Sequence, residues 1–235
     1  MRFNGSAMRL RHEQGVFCDR MVVKAATCVP VGADTPPTHA ACSEPLAVCL
    51  RARSRAGDLT GKRALATGAG PTGALRVALT RLGGAAEVVA TDLQDATLAV
   101  ATRMGVHHAL STGRDPSAPA PWIADKGAFD GTFECSAPAP AWRAAIEATK
   151  PGGTIVQAGA TGDIAIPLKL LAGKKISLTG AHRFHAEFAE AAGMISCGDI
   201  DVSPMITGTY PIADASVAFA APSRWRSRRP LAPSW

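Results

Sequence analysis

The chain is poor in aromatic residues, which make up 5% of its 235 residues and include a single tyrosine. Its core must therefore come from Ala, Val, Leu and Ile. These are plentiful, since the hydrophobic fraction of 47% supports one large domain, or one domain and part of another. A long apolar run is also missing. No stretch reaches the roughly 18 apolar residues that a membrane helix needs, so no membrane partner is expected. The opening MRFNGSAMRLRHEQG has no apolar segment of the secretory kind. Six cysteines are present without a CxxC pair, and their spacings fit neither a zinc ribbon nor a disulfide framework. A reducing, cytoplasmic setting is expected. Acid is absent from the last fourteen residues, PSRWRSRRPLAPSW, which hold four arginines. Without them the net charge of +6 falls to about +2, ordinary for a soluble domain, so no specific nucleic-acid partner is expected.

What is present is organised around Gly61 to Asp92, GKRALATGAGPTGALRVALTRLGGAAEVVATD. Arg63 to Thr67 reads as a strand, and Gly68-Ala69-Gly70-Pro71-Thr72-Gly73 as a turn. Ala74 to Leu82 reads as a helix, and Glu87 to Thr91 as a second strand closed by Asp92. Gly68 permits a tight turn, Gly70 lets a pyrophosphate approach the backbone, and Gly73 lets the helix pack close to the sheet. The free N–H groups of the helix start then face the phosphates. Asp92 lies nineteen residues after Gly73, where a carboxylate accepts from both ribose hydroxyls and repels a 2′-phosphate. The expected cofactor is NAD, in preference to NADP. A GxGxxG pattern alone is weak evidence among 23 glycines, but here strand, helix and spaced acid agree.

The alternation continues along the chain. Helices are expected over Asp95–Met104, Pro138–Thr149 and Ala186–Cys197, with strands over His108–Leu110, Phe129–Cys135, Thr154–Ala158 and Ile176–Thr179. Residues 112–121 read as a Pro-rich loop. Upstream, Pro37 makes Pro36 extended, and one helix is expected over His39–Leu50. The fold class is α/β, a Rossmann-type doubly wound parallel sheet. Ala64 and Ala66 in the first strand and Gly131 in the fourth look weak for buried parallel strands.

Several segments in one order carry a resemblance: EPLAV at Glu44 to Val48, GAGPTG, VVATD, FECS, PGGTIVQAG, and HRF at His182 to Phe184. Together they resemble the polyol branch of the zinc-dependent medium-chain dehydrogenases, over roughly residues 1–221. The resemblance implies oxidation of a secondary alcohol on a polyol or sugar-acid substrate, with hydride transfer to NAD. It implies four parts: residues 1–55 as remnants of a GroES-like catalytic domain, 56–200 as the coenzyme domain, 201–221 as a return toward the catalytic domain, and 222–235 as a divergent basic tail. Thr72 then stands at the pyrophosphate, Asp92 at the ribose, and Ala158, Gly159 and Ala160 beside the nicotinamide. His182, Arg183 and Phe184 line the nicotinamide and substrate side, with Arg183 the polar member. Glu44 matches a carboxylate near the catalytic metal. A homo-oligomer is in keeping with the family.

The family's other zinc ligands, a Cys and a His-Glu pair, are expected upstream of residue 1, so zinc is not expected to be retained. One carboxylate falls short of the three protein ligands that a catalytic zinc takes. A substitute site from His39, Cys42 and Glu44 is disfavoured, because on a regular helix Glu44 points away from His39. His182 and His185 read as surface histidines, and Cys135 as a packed thiol without an activating partner. A short-chain reductase would need a Tyr-x-x-x-Lys pair, but the one tyrosine, Tyr210, is followed four residues later by Asp214. The competing reading is a catalytically inactive NAD-binding fragment.

Overall fold

Six segments pair into one parallel sheet: β1 (Arg63–Thr67), β2 (Glu87–Asp92), β3 (His108–Ser111), β4 (Phe129–Glu134), β5 (Thr149–Gln157) and β6 (Ser177–Gly180). Their spatial order is β3-β2-β1-β4-β5-β6, the doubly wound order of dinucleotide-binding sheets. The computed structural model describes residues 11, 15–159 and 162–220. Ala160, the basic tail 222–235 and most of the first fourteen residues lie outside them. Around the sheet are α1 (Pro37–Ala40), α2 (Ser43–Ala56), α3 (Pro71–Leu82), α4 (Asp95–Arg103), α5 (Ala120–Ile123), α6 (Ala139–Ala148), α7 (Leu168–Gly173), α8 (Glu187–Ser196) and α9 (Ala215–Ala220).

Strand periodicity distributes the core to two faces. Ala66, Val88 and Ala90 meet α2, α3, α4 and α8 through Leu46, Leu75, Leu79, Leu98 and Ile195. The alternate residues Leu65 and Val89 join Phe129 and Ala148 on the opposite face, with Trp122 and Ile123 packed on them. Trp142 and Ile146 of α6 pack with Ile155 on that second face.

The small strand residues are matched by what lies on them. Ala64 shares a buried cluster with Ala52, Ala56, Leu59 and Phe133. A Cβ added at Gly131 would stand 2.8 Å from Leu59 Cδ2, so Gly131 is where Leu59 reaches the sheet. Close approach of α2 takes the place of the larger strand side chains expected there.

The helix expected over His39–Leu50 is divided. α1 ends at Ala40, and α2 starts at Ser43 and runs on to Ala56. Pro45 explains the break: it has no N–H to donate and its ring crowds the carbonyl four residues back, so it fits only in a helix's first turn. The extension past Leu50 follows from burial of Ala52 and Ala56. Gly57, at φ +77, ends it. Arg53 and Arg55 lie in its last turn, where the helix dipole favours cations. β5 begins at Thr149 rather than Thr154, and its pairing with β4 shifts register between Phe129 and Gly131.

Candidate dinucleotide-binding site

The strand registers align one row of residues across the sheet. Thr67 pairs with Thr91 and with Glu134, Glu134 with Gln157, and Gln157 with Gly180. Because the strands are parallel, the segments following these five residues leave from one edge. Gly68 and Asp92, the Cys135–Ala137 turn, Ala158 and Gly159, and His182 to Phe184 therefore share the C-terminal edge of the sheet. The switch in winding direction falls between β1 and β4, where such sheets open a crevice.

At that crevice each motif glycine meets a different constraint. Gly68 has φ +87, and a Cβ on it would stand 2.9 Å from Ser136 Cβ. A Cβ on Gly73 would stand 1.9 Å from the Gly68 carbonyl oxygen. Gly70 has nothing within 4 Å of its Cβ position. The two outer glycines are thus required by the turn itself, and the middle one borders open space. Gly70 caps α3, Pro71 occupies the first turn, and Thr72 follows half-buried. The Thr72 carbonyl accepts the Cys49 thiol at 3.4 Å, which ties the start of α3 to α2.

Asp92 is tied into the same turn. Its Oδ2 accepts the Ala69 N–H at 2.7 Å and its Oδ1 the Gln94 N–H at 2.9 Å. Each carboxylate oxygen has two lone pairs, so acceptor capacity remains for hydroxyl donors. Gly68, Asp92, Leu93, Thr112, Ser136 and Pro138 border a cavity of about 660 Å³. Its floor is apolar, with Leu65, Val89 and Phe129, so it pairs a polar rim with a surface suited to a flat heteroaromatic ring.

The remaining expected residues lie further along the edge. The Ala158 and Gly159 N–H groups donate to the Glu134 carbonyl at 3.0 and 2.9 Å. Arg183 is half-buried and has φ +54, a left-handed conformation uncommon outside glycine. The Phe184 ring stacks on Phe188 of α8 at 5.5 Å. His182 and His185 are exposed.

Glu44 lies exposed in the first turn of α2. Among the described residues no three His, Cys, Asp or Glu side chains come close enough to hold a metal ion. That donor set does not fit a catalytic zinc, and His39, Cys42 and Glu44 do not combine into one. Burial pushes the Cys135 thiol up to about 11, against the lowering effect of the Arg76 charge. Burial likewise holds Cys49 at about 12. Both are packing thiols rather than nucleophiles at neutral pH.

Two charged residues at this edge carry no role in the sequence argument. Glu134, at the end of β4, is 0% exposed. Arg76 of α3 is 1% exposed, with its guanidinium 5.3 Å from the centre of the Phe133 ring. The available signal was an ionisable side chain in a central strand, or on the inner face of a helix, where apolar residues are the rule.

Comparison with known proteins agrees with this geometry. A family profile described as zinc-binding dehydrogenase matches residues 71–196. The chain is 37% identical over 219 residues to L-idonate 5-dehydrogenase (NAD(P)(+)) of Escherichia coli, covering 93% of this chain and 63% of that protein. It is 35% identical over 184 residues to D-xylulose reductase of Saccharomyces cerevisiae, covering 75% of this chain and 51% of that one. The crystal structure of the E. coli L-idonate 5-dehydrogenase superposes with a TM-score of 0.89 at 36% identity, over 93% of this chain and 63% of that one. The chain thus spans less than two thirds of the length of these relatives. With more than half of its residues matched by the family profile and its sheet superposing on a solved relative, the chain belongs to the zinc-binding dehydrogenase family.

Proposed function

We propose that this chain binds NAD as the coenzyme-binding part of an oxidoreductase of the polyol or L-idonate 5-dehydrogenase type. The observation that carries the reading is the tie between Asp92 and the Gly68–Gly73 turn beside an open Gly70. NAD supplies the hydride acceptor for the carbon of a secondary alcohol. The protein's part is binding and orientation. The N–H groups at the start of α3 and the open face of Gly70 receive the pyrophosphate. Asp92 accepts the ribose hydroxyls and disfavours a 2′-phosphate, so NAD is preferred over NADP. The apolar floor of the cavity takes the adenine. Ala158 and Gly159 stand on the nicotinamide side with His182, Arg183 and Phe184, and Ala160 is assigned there by the sequence resemblance alone. Glu44 and Arg183 are the polar groups assigned to the substrate.

The division into residues 1–55, 56–200, 201–221 and 222–235 belongs to this reading, as does a small-molecule polyol or sugar-acid substrate. A homo-oligomer is supported by β6, an edge strand with Leu178 44% exposed, because such edges favour pairing with another chain. The donor set around Glu44 favours a second reading for the chain by itself, coenzyme binding without turnover. Titration of the purified chain with NADH, followed by nucleotide fluorescence, tests the proposal. Saturable one-to-one binding is expected, and absence of binding by soluble protein refutes it. L-Idonate oxidation by the same preparation would eliminate the second reading.

A further inference from the structure

We infer that Glu134 is a positioning residue for the coenzyme, acting through the strained turn that follows β4; the inference rests on the NAD reading above. Glu134 is the last residue of β4, paired with Thr67 of β1 and Gln157 of β5, so it lies in the middle of the site edge. Its side chain is 0% exposed. One oxygen, Oε1, accepts four hydrogen bonds: from Ser136 Oγ at 2.7 Å, Ala137 N at 2.8 Å, Ser136 N at 3.0 Å and Thr67 Oγ1 at 3.3 Å. The other, Oε2, has no hydrogen-bond partner among the described residues.

The donors belong to two touching segments that both border the cavity at this edge. Thr67 precedes Gly68, the first glycine of the phosphate turn. Ser136 and Ala137 form the turn after β4, and Ser136 Cβ is the atom that a Cβ on Gly68 would meet at 2.9 Å. Ala137 has φ +80, a conformation that L side chains adopt only when their surroundings hold them. Glu134 supplies that hold by receiving the Ala137 N–H. The Cys135 N–H donates to the Thr67 carbonyl at 2.9 Å, so the two segments are tied by backbone as well. A buried carboxylate is costly to place, and one bonded to two turns at once keeps both in a single arrangement before any ligand arrives. Its carbonyl meanwhile receives Ala158 and Gly159, so the third segment of the site is anchored to the same residue.

The test is calorimetric titration of the full chain with NADH, for the wild type and four variants. Glu134→Ala should raise Kd by about tenfold or more at unchanged one-to-one stoichiometry, because the competent arrangement becomes a minor state. Glu134→Asp keeps the charge but falls short by a methylene, and should bind as weakly. It carries the test if the alanine variant does not fold. Glu134→Gln keeps a carbonyl oxygen for the Ser136 and Ala137 donors, and should stay within about threefold of the wild type. Ala137→Gly added to Glu134→Ala should recover part of the loss, since glycine adopts φ +80 without strain. A merely structural residue would give fewer binding-competent molecules at the wild-type Kd, and that result overturns the inference. So does wild-type binding by both the alanine and aspartate variants, or a glutamine variant no better than alanine. Failure of the wild type itself to bind NADH refutes the coenzyme reading and the inference with it.

Discussion

The Asp92 carboxylate accepts the Ala69 N–H at 2.7 Å, joining the end of β2 to the middle of the glycine turn that follows β1. One side chain thus shapes the glycine turn and, in the proposed reading, carries the charge that faces the ribose. Asp92→Ala should weaken NADH binding by about tenfold or more, the worth of about one charge-assisted hydrogen bond. It should also lower the preference for NADH over NADPH. Parallel titrations with both coenzymes check this, and unchanged affinities for both would remove Asp92 from the site.

The turn glycines separate binding from folding. Gly70→Ala meets nothing within 4 Å, and its φ of −60 suits alanine. That variant should unfold within about 1 kcal/mol of the wild type, allowing for the lost glycine cap, while NADH binding falls sharply because the new methyl faces the pyrophosphate path. Gly73→Ala forces a Cβ to 1.9 Å from a backbone oxygen and should cost about 3 kcal/mol or more of stability. Urea unfolding and NADH titration of the two variants distinguish these effects.

Arg76 is a buried cation over the Phe133 ring; apart from the neighbouring Cys49 thiol, its three guanidinium nitrogens meet no hydrogen-bond acceptor among the described residues. The ring attraction, about 1–2 kcal/mol, does not offset several kcal/mol of desolvation. Arg76→Met keeps the packing volume and removes the charge. It should raise the unfolding free energy by about 1 kcal/mol or more. A urea midpoint that falls instead would show that Arg76 is paired after all.

Asp130 joins the start of β1 to β4 and β5. It accepts the Arg63 N–H at 3.1 Å and is ion-paired with Lys150. Burial opposes its charge, yet the Lys150 and Arg63 hydrogen bonds outweigh burial and hold its pKa below the ordinary 3.8. With the folded value depressed, the unfolded chain takes up the proton first as pH falls. The stabilisation is therefore present above pH 3.8 and is lost as pH drops through the folded value. Asp130→Asn should cost about 1 kcal/mol at neutral pH, and that difference should vanish in acid. Unfolding curves from about pH 7 down to about pH 2 check both limbs.

The βαβ unit was legible in the sequence because its constraints are local. Gly68 needs φ +87, Gly73 needs contact with its own turn, and Asp92 ends the adjacent strand, all within 25 residues. The parallel, doubly wound sheet followed from the alternation of elements, and the order β3-β2-β1-β4-β5-β6 was decided by the structure. The length of α2 was harder to read, because burial of Ala52 and Ala56 depends on Ala64 and Phe133, which lie beyond the helix in sequence. The apparent weakness of Gly131 is explained by Leu59, more than seventy residues earlier.

By itself the sequence determined the fold class, the glycine turn after β1 and the acid that ends β2, since backbone conformation and strand periodicity are written in neighbouring residues. The tertiary structure decided that Glu134 lies under two turns, that Arg76 is enclosed, and that Glu44 meets no second or third metal donor among the described residues. Such facts depend on which distant side chains share a buried volume, and the free energy of a charge depends on that volume more than on the residues beside it in the chain.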